Sequence, residues 1–247
     1  AAESTKPIVQ KDVVFEERDG LLAVEAEHFF EQTKTDQRAF YLTTAGSFPE
    51  ADMDVQRIPE FKEKTAPGAY YQRPAMDGSR PGVFYANLYD IKATPKYGMK
   101  TLAYHEGIPG HHMQISIAQE LTDIPTFRTQ AGFSVYSEGW ALYTEKLSKE
   151  MGQFKNPYMD FGRLTAEMWR AIRLVVDTGL HAKGWSQEQA VQFFFDNSAI
   201  PETAVRSEVR RYLTIPGQAT SYKVGMLKIE ELRQRAEEFK QIPHHQQ

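Results

Sequence analysis

The spacing of apolar positions along the chain changes near residue 49. Before it, DVVFEERDGLLAVEAEHFFEQ and RAFYLTT, within residues 12–44, partly alternate apolar with polar residues, and Asp19-Gly20 supplies a turn. This pattern predicts a β-hairpin and a further strand. Beyond it, a stretch rich in Pro, Gly and charge gives way to segments whose apolar residues recur every three or four positions. These predict helices over 97–124, 136–151, 157–183, 186–197, 201–214 and 221–239. Ser186 followed by Glu188 and Gln189, and Pro201 in a first turn, punctuate two of the starts. Between the two regimes, VFYANLY is a β-prone run of strand length, expected beside a cleft that Tyr85 and Asn87 line while the backbone pairs with an extended peptide. Asp77, Ser79 and Arg80 read as the DGSRPG turn. The expectation is a mainly α protein with a small N-terminal β element, divided into a β-rich segment over 1–48 and a helical domain over 49–247.

Composition narrows the chemistry. With 247 residues and 41% hydrophobic content the chain is an ordinary packed protein of one large domain or two small ones. No run approaches the ~18 consecutive apolar residues of a membrane span, so insertion is not expected. The net charge of -4 is spread in mixed clusters and offers no basic surface for nucleic acid. Cysteine is absent, which removes disulfides, thiolate catalysis and sulfur-ligated metal sites together. Any metal is left to histidines and carboxylates. The opening letters AAESTKP fit what remains after cleavage behind small residues, an extracytoplasmic setting, although an arbitrary boundary gives the same letters.

One segment concentrates metal-binding residues: TLAYHEGIPGHHMQ, 101–114. In an unbroken helix His105 and His112 would stand about 10 Å apart along the axis, whereas ligand nitrogens lie only about 2 Å from a zinc ion. A straight helix cannot make this site. Pro109 and Gly110 both interrupt regular helix. If Ile108 and Pro109 bulge out, the remaining letters read His-Glu-Gly-Gly-His, with His105 and His111 as ligands.

HEGIPGHHMQ, with YSEGWALYTEKL, VVDTGLHAKGWS and PGQATSYKVGMLKI following in order, resembles domain-of-unknown-function family 885, bacterial relatives of zinc metallopeptidases. The likeness runs over about residues 50–235. It implies a zincin-like helical metallopeptidase domain, a Zn2+ cofactor and a peptide or amide substrate. Two departures are expected: a β-like segment replaces the family's long helical N-terminal region, and the chain stops before the family's last helices. VEAEHF, more briefly, resembles a strand of carbohydrate-binding β-sandwich modules.

Such peptidases often take a third ligand from a following helix, and Glu138 in YSEGW, 27 residues after His111, is the choice. A helix-capping or salt-bridging Glu138 is the plainer alternative. Glu145, seven residues on, faces the same way and could orient a ligand. His112 is the alternative to His111. Glu106 adjoins a ligand and is placed to take a proton from water at the metal and pass it to a leaving amine. Arg163, Glu167, Arg170, Asp177 and His181 fall near one helical stripe, with Met168, Ile172, Val175 and Val176 opposite for packing. A polar stripe is usually a solvated face, but the family likeness through VVDTGLH favours His181 as a donor to substrate, with Asp177 and Arg170 orienting neighbours. Gln218 and Tyr222 lie one turn apart, and a Tyr222 hydroxyl aimed at the metal would stabilise an oxyanion, the alternative being a tyrosine at the core boundary. These residues point to a zinc-dependent hydrolase of peptide or related amide bonds. The other reading is a non-catalytic, metal-stabilised protein that binds carbohydrate through its N-terminal strands.

Overall fold

The computed structural model describes residues 51–90, 95–122 and 124–241, with Pro49 and two strands near the N-terminus. Contacts group the chain into two units, 1–89 and 90–247. The expected division between residues 48 and 49 lies within the first unit, and the strand built from VFYANLY groups with the N-terminal residues.

In the first unit, β1 (Glu16–Arg18) and β2 (Leu21–Ala23) pair antiparallel around Asp19-Gly20, as the hairpin reading expects. The further strand expected in RAFYLTT and the VEAEHF segment lie outside the described residues. A three-stranded sheet follows, from β3 (Met53–Arg57), β4 (Ala69–Gln72) and β5 (Gly82–Ala86), in the order β3-β5-β4, with α1 (Glu60–Glu63) after β3. β5 is parallel to β3 and antiparallel to β4. Its backbone is thus paired on both sides, which corrects the expectation that this strand offers its backbone to a peptide. Asn87 is equally committed, its Nδ2 donating to the carbonyls of Glu63, Ala66 and Pro67. Asp77 and Ser79 form the expected turn, Ser79 donating from both its N–H and its hydroxyl to Asp77 Oδ1.

The second unit is helical: α2 (Lys96–Glu106), α3 (His111–Glu120), α4 (Thr126–Gln130), α5 (Ser134–Glu150), α6 (Pro157–Ala182), α7 (Gln187–Asn197), α8 (Glu202–Thr214) and α9 (Gln218–Gln241). The helix expected over 97–124 is two helices, broken at the Pro-Gly step, and the short α4 was not expected. Ser186 opens α7 with a reciprocal capping box to Gln189, which satisfies two N–H groups that the helix cannot bond internally. Ile172, Val176, Val191, Phe194, Val205, Val209 and Tyr212 form the core where α6, α7 and α8 meet.

On α6 the amphipathic reading holds for Ile172 and Val176, which are buried in the core, and not for Met168 and Val175. Met168 and Val175 are 51% and 42% exposed, whereas Arg173 and Asp177 are 5% and 4% exposed. Of the polar stripe, Arg163 and Asp177 are buried and Glu167 pairs with Lys223 Nζ at 2.6 Å, while His181 stays exposed; Arg173, outside the stripe, is buried with its Nη2 on Glu208 at 2.9 Å. A buried guanidinium is tolerated when paired and hydrogen-bonded.

Two glycines set how closely α5 and α9 approach. A Cβ on Gly225 would lie 1.9 Å from the Val135 carbonyl oxygen, and one on Gly139 would lie 2.5 Å from Gly225 Cα. The helices touch through their backbones there. Gly225→Ala is expected to destabilise by on the order of 3 kcal/mol, as overpacking does, although alanine is the better helix former. Gly98→Ala, with open space at the same distance range, is expected to stabilise by about 0.5–1 kcal/mol. Urea denaturation of the two variants checks this; equal midpoints would contradict the backbone contact.

Candidate metal centre

The break between α2 and α3 is what brings the histidines together. Gly107 closes α2 with its N–H on the Ala103 carbonyl, and Gln114 N–H bonds Gly110 in the first turn of α3. Between them the Ile108-Pro109 peptide is cis, and Trp140 Nε1 donates to the Pro109 carbonyl at 2.8 Å. Gly110 passes directly over the end of α2: a Cβ there would stand 2.0 Å from the His105 carbonyl oxygen and 2.3 Å from that of Tyr104. Only a residue without a side chain fits, so the chain doubles back within four residues and sets His111 beside His105, as the bulged reading of HEGIPGHH requires.

The two imidazoles lie edge to face, 4.9 Å between centroids. Glu138, from the second turn of α5, reaches them with Oε2 at 3.5 Å from His105 Nε2 and 3.3 Å from His111 Nε2. One donor atom from each of the three lies within 4.8 Å of the others. Tetrahedral donors about 2 Å from an ion stand about 3.3 Å from one another, so the carboxylate sits at coordination spacing from both rings. Its Oε2 is buried and has no hydrogen bond among the described residues, which fits an oxygen arranged to meet a cation. The donor set of two imidazoles and a carboxylate fits zinc.

Electrostatics support the same reading. Burial pushes His105 down, but the Glu138 carboxylate near Nε2 and the Glu145 carboxylate on Nδ1 outweigh it and lift the group to about 9. Burial raises Glu138, and the neighbouring imidazoles of His105 and His111 reverse this and hold it well below the usual carboxylate range. The cluster therefore favours one positive charge at its centre. Glu145, 1% exposed, accepts from His105 Nδ1–H at 2.8 Å, which orients the ring and leaves Nε2 for the ligand face.

Of the other expected residues, Glu106 is buried at the end of α2, and its carboxylate accepts no hydrogen bond from a described residue. His112 is not among the three clustered donors, and its Nδ1 lies 3.3 Å from Ser116 Oγ. Tyr222 joins the site: its ring stacks on His105 at 6.1 Å, and its hydroxyl accepts from Gln218 Nε2 at 3.3 Å. Burial, with Glu138 nearby, raises the Tyr222 phenol, so it keeps its proton at neutral pH. His181 is engaged elsewhere. Its Nε2 donates to the Tyr212 carbonyl at 3.0 Å, with Asp177 3.8 Å away, and neither partner belongs to the cluster. Asp177 accepts from the Gly217 N–H at the start of α9, and Arg170 Nη2 lies 4.0 Å from Glu145 Oε1. Trp140 and Arg173 were not anticipated. The Arg173 guanidinium lies 4.7 Å from the Tyr222 ring centre, and a charged residue directly after Ile172 and three before Val176 was the available signal.

A helical unit carrying a buried two-histidine, one-glutamate donor set across a broken helix defines the class. The chain belongs to DUF885, described as bacterial protein of unknown function, which it matches over residues 16–242. The match includes most of the segment expected to be unrelated to the family. Two solved structures are similar, each described as a putative lipoprotein. The one from Colwellia psychrerythraea is 41% identical with a TM-score of 0.75, covering 90% of this chain and 39% of that one. The other, of unknown function from Shewanella oneidensis, is 20% identical with a TM-score of 0.67, covering 88% and 40%. An uncharacterized protein, P23, from Formosa agariphila is 57% identical over 42 residues, 17% of this chain and 10% of that protein. The chain thus spans about two fifths of the length of the two structures.

His111→Ala is expected to abolish stoichiometric zinc binding, while His112→Ala retains it. Glu145→Gln should weaken affinity by about 10-fold to 100-fold, the usual effect of losing a ligand's orienting partner. Competition titration against a chromophoric chelator measures all three, and a greater loss in His112→Ala than in His111→Ala would reverse the assignment.

Proposed function

We propose that this chain carries the metal centre of a hydrolase of peptide or related amide bonds, with His105, His111 and Glu138 holding one zinc ion. The observation that carries the reading is the coordination spacing of the buried Glu138 Oε2 from two imidazole nitrogens. When bound, the ion supplies Lewis acidity, polarising a carbonyl oxygen and acidifying water beside it.

The chain's own groups complete the chemistry. Glu106, next to His105 and free of hydrogen bonds to described residues, accepts a proton at a carboxylate oxygen and returns it to the leaving nitrogen. Tyr222 donates its hydroxyl hydrogen to the oxygen that becomes negative as the carbonyl is attacked. Glu145 holds His105 through Nδ1–H and keeps that ring's ligand face fixed. His181, bonded to the Tyr212 carbonyl, supports the α6–α8 contact in this scheme and leaves the donor role to Tyr222.

The likeness to lipoproteins supports an extracytoplasmic setting. No described helix is long and apolar enough to cross a membrane. The similar structures are each more than twice the length of this chain, so the substrate is proposed only as a class, a peptide or related amide.

Glu106→Gln keeps the shape of the side chain and removes its basicity. It is expected to retain zinc while losing about 10²-fold to 10⁴-fold in turnover, the range for a positioned general base. A peptide-library cleavage assay with chelation and metal restoration checks this. Full turnover by metal-loaded Glu106→Gln would move the base elsewhere, and no cleavage by the metal-loaded wild-type chain would favour the non-catalytic reading.

A further inference from the structure

Gln218, the first residue of α9, lies between two groups of the metal centre. Its Nε2 is 3.4 Å from Glu138 Oε1 and 3.3 Å from the Tyr222 hydroxyl oxygen, while its Oε1 is 2.9 Å from Arg211 Nη1. A guanidinium only donates. The third contact therefore admits one orientation of the amide, with oxygen toward Arg211 and both N–H groups toward the site. Arg211 is itself held, Nη2 bonding Glu208 at 2.9 Å, and Glu208 also takes Arg173 Nη2 at 2.9 Å. The Gln218 backbone is fixed from the other side: Gly217 adopts a φ of +81°, and its N–H donates to Asp177 Oδ2 at 3.1 Å.

Two consequences follow from that orientation. With Glu138 Oε1 occupied by an amide hydrogen, Oε2 is the oxygen left for His105, His111 and an ion. With the Tyr222 oxygen accepting from the amide, the phenol's own hydrogen is unspent at that contact and is available for donation into the site.

We propose that Gln218 is a positioning residue, selecting the Glu138 oxygen that faces the two histidines and turning the Tyr222 hydroxyl hydrogen toward the substrate. Arg211 acts through it by fixing the amide. The proposal rests on the reading of the cluster as a hydrolytic metal centre.

Gln218→Met keeps the bulk and removes both donors, and Arg211→Met releases the amide oxygen. The test is a double-mutant cycle on zinc affinity in the full chain, read by chelator competition, with the cobalt-substituted visible spectrum as a second readout. Gln218→Met is expected to lower zinc affinity about 10-fold and to shift the cobalt bands, as loss of a ligand's outer hydrogen bond does. Arg211→Met should lower affinity several-fold in the wild-type background and have no effect in the Gln218→Met background, the signature of a shared pathway. A merely structural role for either residue would alter melting temperature and leave affinity per folded molecule, the cobalt spectrum and the coupling at wild-type values; that result overturns the proposal while the metal site stands. Failure of the wild-type chain to bind zinc or cobalt overturns the metal reading and the proposal with it. Should Arg211→Met fail to fold, Gln218→Met alone decides, through affinity and spectrum.

Discussion

The site depends on one backbone contact, the passage of Gly110 over the carbonyls that end α2. A helix that continued through residues 107–110 would carry His111 more than a turn along the axis and around it, out of reach of an ion at His105. With no side chain at Gly110 the chain reverses at van der Waals distance, and His111 returns to His105. The Trp140 bond to the Pro109 carbonyl ties this reversal to α5, the helix that also delivers Glu138 and Glu145. One helix thus supplies the glutamate proposed as third ligand, the carboxylate bonded to His105, and the clamp on the loop between the two histidines.

Placing α5 in turn requires α9. The backbone contact between Gly139 and Gly225 lies immediately after Glu138 and within a turn of Tyr222. Beneath it runs a buried polar layer: Arg173 donates from Nε to the Tyr212 hydroxyl at 2.8 Å, from Nη2 to Glu208, and lies against the Tyr222 ring. Desolvating such charges is costly unless each is paired. Here the pairing links α6, α8 and α9 and supports the aromatic ring stacked on His105. Stability and the positioning of the site share the same contacts.

Much of this was legible in the letters, and the exceptions have physical causes. The helix periods, the capping box at Ser186 and the break in HEGIPGHH follow from local rules, because caps, prolines and glycines act within a turn or two. Glu138 and Glu145 were within reach because seven residues return to the same helical face. The burial of Arg173 on α6 was not, since a charge is buried only if its partners exist, and Arg173 finds Glu208 and Tyr212 35 and 39 residues away. His181 belongs to the polar stripe of the same helix, and only the tertiary structure shows its nitrogen spent on a carbonyl. VFYANLY was rightly read as a strand, but its pairing on both edges is a property of β3 and β4, not of its own residues.

The central claim is that two histidines and one carboxylate converge on a single ion. Zinc-edge X-ray absorption of the chain reconstituted with one equivalent of zinc measures this directly, because imidazole rings add a characteristic outer-shell scattering to the first-shell signal. The account predicts nitrogen and oxygen neighbours at about 2.0–2.1 Å and outer-shell scattering from two imidazoles. A first shell of oxygen with no imidazole scattering, or scattering from three or more rings, would contradict it.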